Sequence, residues 1–239
     1  MDVAGEGFLP VVAHLHGAAG VERVALGEPF DRDHLVPVCL RAQHQARADE
    51  LAVEEDGARA ALAEASRTVG SPQIRNRGTI GGNLGTASPA GDALPPLLVE
   101  HARVEIASVR GVRTLPVEEF LLGVKRNALE PDELVTAVRL DPSGSSQTFM
   151  KVGPRNAMVI AICSLAVAVD PEAGEVRAAF GSAAVTATRV IVPLGDAASL
   201  PERVAEAASP IDDVRATAAY RRHALRVLAG RALERCLPG

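Results

Sequence analysis

The apolar positions of this chain change their spacing several times, and each change marks an element. Over residues 58–69, Leu62 and Ala65 share one face and Val69 follows a turn later, which predicts a helix. Gly70-Ser71-Pro72 stops it. A glycine-rich segment fills residues 78–91, followed by strand-like runs at 104–109 and 112–115 with a turn at Arg110-Gly111 between them. A short helix over 117–122, a loop over 123–131 and a strand over 133–140 close the first half.

Residues 141–146 are polar and turn-forming throughout and read as a linker. Beyond it, 147–152, 159–169 and 175–182 read as three strands, the last two joined by a hairpin turn at 170–174. In the middle strand Leu165, Val167 and Val169 alternate with Ala166 and Ala168, giving a face of large side chains and a face of small ones. Leu225, Leu228, Ala229 and Ala232 fall at helical spacing near the end. Strands in a meander closed by helices predict an α+β chain. The change of pattern near residue 145 predicts two domains, 1–145 and 146–239. Residues 1–50 show no sustained period of either kind.

Composition narrows the function classes. Tryptophan is absent and aromatic residues make up 3%, so the core must be built from Val, Leu, Ile and Ala. The net charge of −5 and the lack of a long basic block argue against nucleic acid or an anionic membrane as partner. No apolar run reaches the ~18–20 residues that a membrane helix needs, and the start lacks a signal-peptide layout, so a cytoplasmic protein is expected. Cys39, Cys163 and Cys236 lie far apart and form no CxxC pair, so neither an iron–sulfur cluster nor a Cys-rich zinc site is expected on this chain. Cys163, inside an apolar run, reads as a small buried hydrophobe.

Candidate chemistry gathers in Thr79-Ile80-Gly81-Gly82-Asn83-Leu84-Gly85-Thr86-Ala87-Ser88-Pro89-Ala90-Gly91-Asp92. Gly81 and Gly82 let the backbone approach a ligand, and successive N–H groups form a nest for a diphosphate. Thr79, Asn83, Thr86 and Ser88 add neutral donors, and Asp92 adds an acceptor suited to a ribose hydroxyl. No Gly-Lys-Ser/Thr follows, so this is not a P-loop, and GxGxxG is absent. On chemistry alone a tight, capped surface loop explains the segment equally well. Arg75 and Arg77 would offset diphosphate charge or simply be solvated. Asp212, Asp213 and Arg215 read as capping and packing at a helix start, and His223 as structural. No Ser/His/Asp or Cys/His arrangement stands out.

Ser71-Pro72-Gln73-Ile74-Arg75-Asn76-Arg77-Gly78, followed by residues 79–92, resembles the second FAD motif of the molybdenum hydroxylase flavoproteins. These include the medium subunit of carbon monoxide dehydrogenase and the FAD subunit of bacterial xanthine dehydrogenase. Phe120-Leu121-Leu122-Gly123 with Pro131-Asp132-Glu133-Leu134-Val135 is similar to the family's flavin-side loop and strand. Lys151-Val152-Gly153-Pro154-Arg155-Asn156-Ala157-Met158 resembles the start of its C-terminal domain. Ser209-Pro210-Ile211-Asp212-Asp213-Val214-Arg215 with Tyr220-Arg221-Arg222-His223 resembles its closing helix. The resemblance runs from about residue 58 to the end.

It implies a PCMH-type FAD-binding domain, atypical in its N-terminal part, followed by a small domain of three antiparallel strands with helices. It also implies an electron-transfer subunit: a large partner holds molybdopterin, a small partner holds two 2Fe–2S clusters, and FAD on this chain passes electrons to NAD or another acceptor. By matching position, Thr79, Gly81, Gly82, Asn83, Thr86 and Ser88 are expected along the FAD diphosphate and ribityl chain. Asp92 is expected at a ribose or diphosphate contact, Val69 and Val135 near the flavin, and Lys151 at a polar atom of the cofactor. Lys125-Arg126-Asn127 would meet NAD or the iron–sulfur partner, or form an exposed polar loop. No catalytic side chain is required, because the cofactor carries the electron chemistry.

The family's first FAD motif, a strand followed by Ala-Gly-Gly and a small polar pair, is not found in residues 1–57; Gly17-Ala18-Ala19-Gly20 is the nearest sequence. A frame error or alternative start, and a diverged subunit, both account for this. The expectation is that residues 1–50 pack poorly and do not complete the FAD cradle. A degenerate, FAD-free structural subunit is therefore the competing reading. A lone relative of the same FAD fold, such as an enolpyruvylglucosamine reductase, has no reason to carry the residue 212–220 signature.

Overall fold

The computed structural model describes residues 35–37, 60–75, 77–141, 143–156 and 158–237, all within one compact unit, Asp31–Gly239. The expectations for residues 1–57 lie outside the described residues, apart from strand β1, Leu35–Pro37. Three residues are too few to show a period, which is why the sequence pattern gave no strand there. Helix α1 is Ala60–Thr68, α2 is Pro72–Arg75, α3 is Ile80–Thr86 and α4 is Leu94–Val99. Strands β2, Arg103–Ser108, and β3, Gly111–Pro116, precede α5, Val117–Phe120. A small hairpin, β4 Leu121–Gly123 with β5 Arg126–Asn127, leads to β6, Leu134–Arg139. The first sheet is antiparallel, in the order β1-β6-β2-β3.

The second sheet is a meander: β7 Ser146–Val152, β8 Cys163–Asp170, β9 Glu175–Gly181 and β10 Thr188–Pro193. It has one strand more than the three expected. β10 is a half-buried edge strand whose exposure does not alternate cleanly, so it carries no period-two signal. Helices α6, Leu200–Ala207, and α7, Ala218–Cys236, close the chain.

The two-faced pattern of β8 sets the layering. Leu165, Val167 and Val169 pack with Leu200, Val204, Leu225, Leu228 and Ala229 of α6 and α7. On the other face Ala166, Ala168 and Ala179 meet Leu62 and Ala65 of α1 and Leu94, Leu97 and Leu98 of α4. Alanines keep that face flat, so helices from the first half of the chain lie close against it. The sheet is thus buried on both sides.

Helix α4, six residues with two prolines, is too short to stand alone. Buried Leu94, Leu97, Leu98 and Val99 anchor it. Its C-terminal carbonyls are taken by arginines of the second sheet: Arg177 Nε donates to Val99 O at 2.6 Å and Arg189 Nη1 to Leu98 O at 2.9 Å. Glu64 of α1 pins the edge strand β7, accepting from Phe149 N at 2.6 Å and Thr148 Oγ1 at 3.0 Å.

Near the closing helix, Asp212 Oδ1 accepts from Ala218 N at 2.5 Å, and Thr217 caps α7 by accepting from Tyr220 N at 3.2 Å. Buried Arg221 donates to Ser182 O at 2.6 Å and pairs with Asp213 at 2.5 Å. Hydrogen bonds from Arg215 hold Asp213 well below the usual carboxylate range. These residues cap and pack, as expected, and His223 lies exposed on the helix surface.

Glu133 gives a pH test of the first sheet. Arg113 donates to it through Nε at 2.8 Å and Nη2 at 2.6 Å, and Glu130 N donates at 2.9 Å. Led by the Arg113 hydrogen bond, its pKa falls from 4.5 to about 2. A carboxyl whose folded pKa is depressed stabilises the fold above its unfolded pKa and loses that contribution as pH falls through the folded one. Urea midpoints should therefore drop between pH 4.5 and about 2, and Arg113→Ala should make that drop shallower. Identical pH profiles for the two proteins would refute the assignment.

Candidate functional site

The glycine-rich segment is not the open turn its sequence suggests. It forms α3, a seven-residue helix that includes Gly81, Gly82 and Gly85 despite their poor helix propensity. Two local causes prevail. Ile80 and Leu84 are buried in the first core, and Thr79, extended at φ −133° and ψ 157°, caps the N-terminus. Thr79 Oγ1 accepts from Gly82 N at 2.9 Å, and Thr79 O accepts from Asn83 N at 3.1 Å. A Cβ on Gly82 would stand 3.1 Å from Thr79 Oγ1, so glycine keeps the cap uncrowded.

The expected hydroxyl donors differ in what they have left to give. Thr79 and Ser88 use only oxygen lone pairs locally; Ser88 Oγ accepts from Ala90 N at 3.3 Å. Thr86 already donates its hydroxyl hydrogen to Gly82 O at 2.7 Å. Gly81 sits half-buried in the first turn of α3, and Gly82 is exposed beside it.

Asn83 and Asp92 present the main chemical anomaly. Asn83 Oδ1 and Asp92 Oδ1 are buried with no hydrogen-bond partner among the described residues. Leaving such an acceptor unsatisfied costs about 1–3 kcal/mol. A Cβ on Gly91, next to Asp92 in the chain, would stand 2.7 Å from Asn83 Oδ1, so the two parts of the segment converge. The other oxygen of Asp92 pairs with Lys151 Nζ at 2.6 Å, and both side chains are nearly buried. Burial pushes the Asp92 carboxyl up, against a smaller downward pull from Lys151. Lys151 Nζ also donates to Thr68 O at 3.2 Å, which brings β7, Asp92 and the end of α1 together just before Val69.

Val69 is half-buried, and its carbonyl accepts from Arg75 Nη1 at 3.0 Å, with Gly70 O at 3.1 Å from the same nitrogen. Arg75 thus caps backbone and is neither a solvated side chain nor a free cation. Arg77 is exposed. Val135 lies half-buried on β6, the strand against which α3 packs, beside a bulge between Glu105 and Ile106 of β2. The structure therefore groups Val69, Asp92 and Lys151, and places Thr79, Gly81, Gly82, Asn83, Thr86 and Ser88 along α3 and its caps. Sequence reasoning gave Gly91 no role of its own and read Lys125-Arg126-Asn127 as a loop for NAD, the iron–sulfur partner or solvent; the structure bonds Lys125 N to Ala87 O and Asn127 Nδ2 to Gly85 O, which only the tertiary fold brings together.

The site can accept hydrogen bonds from a ligand rich in hydroxyl groups and approach it closely through glycine backbone. Among the described residues no group of His, Cys, Asp and Glu is arranged to hold a metal ion. No helix among them is long and apolar enough to cross a membrane.

Residues 42–142 match the family model of the FAD binding domain in molybdopterin dehydrogenase, so the match takes in residues 42–57, which the sequence reading left outside the resemblance. The nicotinate dehydrogenase FAD-subunit of Eubacterium barkeri is 44% identical over 117 residues, 46% of this chain and 40% of that one. The xanthine dehydrogenase FAD-binding subunit of a strain of Escherichia coli is 30% identical over 190 residues, 73% of this chain and 65% of that one. This chain thus spans less than two thirds of the length of these curated relatives. Among solved structures, carbon monoxide dehydrogenase from Hydrogenophaga pseudoflava superposes with a TM-score of 0.75 at 22% identity, over 88% of this chain and 77% of that one.

Proposed function

We propose that this chain is an FAD-binding medium subunit of the molybdenum hydroxylases, which binds FAD and serves as the electron-transfer subunit of a xanthine dehydrogenase-like complex. The observation that carries the reading is the pair of buried, unpartnered acceptors, Asn83 Oδ1 and Asp92 Oδ1, in one glycine-rich segment. Ribityl and ribose hydroxyls are the donors that would satisfy them. The residues present fit the cofactor.

Thr79 and Ser88 would donate their hydroxyl hydrogens to it. Gly81 and Gly82 would leave the backbone of the first turn open to the diphosphate, with Thr86 bracing that turn through its bond to Gly82 O. Asp92, fixed by Lys151, would orient a hydroxyl through its free oxygen, and Lys151 would face the cofactor from the same place. Val69 and Val135 would give an apolar seat that excludes water from the ring. When bound, FAD supplies the redox chemistry, passing electrons on to NAD or another acceptor. The 2Fe–2S clusters and molybdopterin would belong to a small and a large partner subunit. Cys163 does not suit cluster ligation, since it is buried and its thiol is pushed up to about 12 by that burial. In this reading residues 1–145 form the FAD-binding part, 146–239 support it, and the complex works in the cytoplasm.

The visible spectrum of the purified full-length chain tests the proposal. Flavin absorption that survives desalting, or appears on adding FAD, is the expected outcome. A chain that stays colourless with FAD, alone and in its assembled complex, would leave the FAD-free structural subunit as the answer.

A further inference from the structure

Three alternate carbonyls, from the last turn of α3 to just beyond it, are each held by a donor from a distant part of the chain. Asn127 Nδ2 donates to Gly85 O at 2.6 Å. Lys125 N donates to Ala87 O at 3.0 Å, and Ser182 N donates to Pro89 O at 2.7 Å. Ala87, Lys125 and Ser182 have φ of 44°, 53° and 62°, in the left-handed region that side chains other than glycine seldom enter. Backbone strain gathered at one place persists only where surrounding structure enforces it. Here the strained residues are bonded to the segment that carries Asn83 and Ser88.

Asn127 is the one side chain in this grip. Its Oδ1 accepts from Leu129 N at 2.9 Å, which fixes the amide so that Nδ2 faces Gly85 O. Strand β5 holds its backbone opposite Leu121 of β4. A Cβ on Gly181 would stand 3.0 Å from Pro89 O, so the opposite side of the grip is tight as well. Such a clamp sets the position of the short helix that carries Asn83.

Resting on the FAD reading above, we propose that Asn127 is a positioning residue for the cofactor. Without touching FAD, it fixes the C-terminal end of α3 and so the placing of Thr79 at the other end, Asn83 in the middle and Ser88 just past the clamped end. Supporting groups of this kind hold binding atoms within a fraction of an ångström of the productive geometry.

The test uses the full-length chain stripped of flavin and titrated with FAD, following the quenching of flavin fluorescence. Asn127→Ala removes the donor, and Asn127→Asp keeps the shape while turning an oxygen toward the Gly85 carbonyl. The first should weaken FAD binding about tenfold, the size of one lost hydrogen bond, and the second by more. The visible circular dichroism of the residual bound flavin should change in both, while the flavin-free proteins unfold at nearly the wild-type temperature. Hydrogen exchange on the wild-type chain gives a second measurement that needs no variant: adding FAD should slow exchange at the Lys125 amide. Wild-type binding with unchanged affinity and dichroism in both variants overturns the clamp alone. If the variants unfold, an unchanged Lys125 exchange rate overturns it, and a slowed rate supports it. A wild-type chain that takes up no FAD overturns the clamp and the FAD reading together.

Discussion

Lys151→Met should destabilise the fold by about 3–5 kcal/mol at neutral pH, the cost of stranding a buried charge whose partner has been removed. The lysine and Asp92 are each nearly inaccessible, and Asp92 Oδ1 already lacks a partner among the described residues. Methionine fills the space of the lysine stem and supplies no counter-charge, so the loss is electrostatic and not a cavity. The sign with pH follows from burial, which raises the Asp92 carboxyl in the folded protein. Without Lys151 that rise grows. A carboxyl with a raised folded pKa is penalised while ionised, and the penalty is relieved as pH falls through the folded pKa. The variant should therefore regain stability relative to wild type on mild acidification, the reverse of the trend at Glu133. Adding Asp92→Asn should recover much of the loss at neutral pH. Denaturant unfolding of the four proteins of this cycle decides it. A loss that is independent of pH, or that Asp92→Asn does not relieve, would show that the pair contributes by packing alone.

Gly82→Val is expected to abolish flavin retention while leaving the protein folded. The added Cβ would lie 3.1 Å from Thr79 Oγ1, and its two methyl groups would crowd the cap and the exposed first turn of α3. The buried residues of this helix, Ile80 and Leu84, are untouched, and so is the packing around the second sheet. Affinity should fall by orders of magnitude, with only a modest drop in melting temperature. Gly85→Ala is the matched control. Its Cβ would meet nothing within 4 Å, and alanine gains about 1 kcal/mol in helix propensity. It should therefore bind FAD as before and melt no lower. Wild-type flavin occupancy in Gly82→Val would remove the first turn of α3 from the site.

These two experiments probe different kinds of sequence signal. The glycine segment stood out because its residue types are unusual together, and the resemblance then assigned it a ligand. Its local form was not legible, because propensity favours a turn where buried Ile80 and Leu84 and the Thr79 cap enforce a helix. The strands β2, β3, β6, β7 and β9 were legible to within a residue or two, since each is a short run bounded by turn residues or by the polar linker. β10 escaped because only Val190, Ile191 and Val192 mark it, between Arg189 and Pro193, and β1 because three residues cannot display a period. Lys151 was singled out by motif, but its pairing with Asp92 joins residues 59 positions apart, and no local pattern encodes that. The same holds for Asn127 and Gly85, 42 positions apart.

The alanine face of β8 bears on how the chain is made. Synthesis runs from the N-terminus, so α1 and α4 leave the ribosome well before the strand that covers them. Until Ala166, Ala168 and Ala179 have emerged, Leu62, Leu94, Leu97 and Leu98 lack the part of their core that the second sheet supplies. The carbonyls at the end of α4 likewise wait for Arg177 and Arg189. The nascent first half thus exposes apolar helix faces until the second sheet is made. A ribosome stalled short of residue 180 would hold a chain that proteases cut readily.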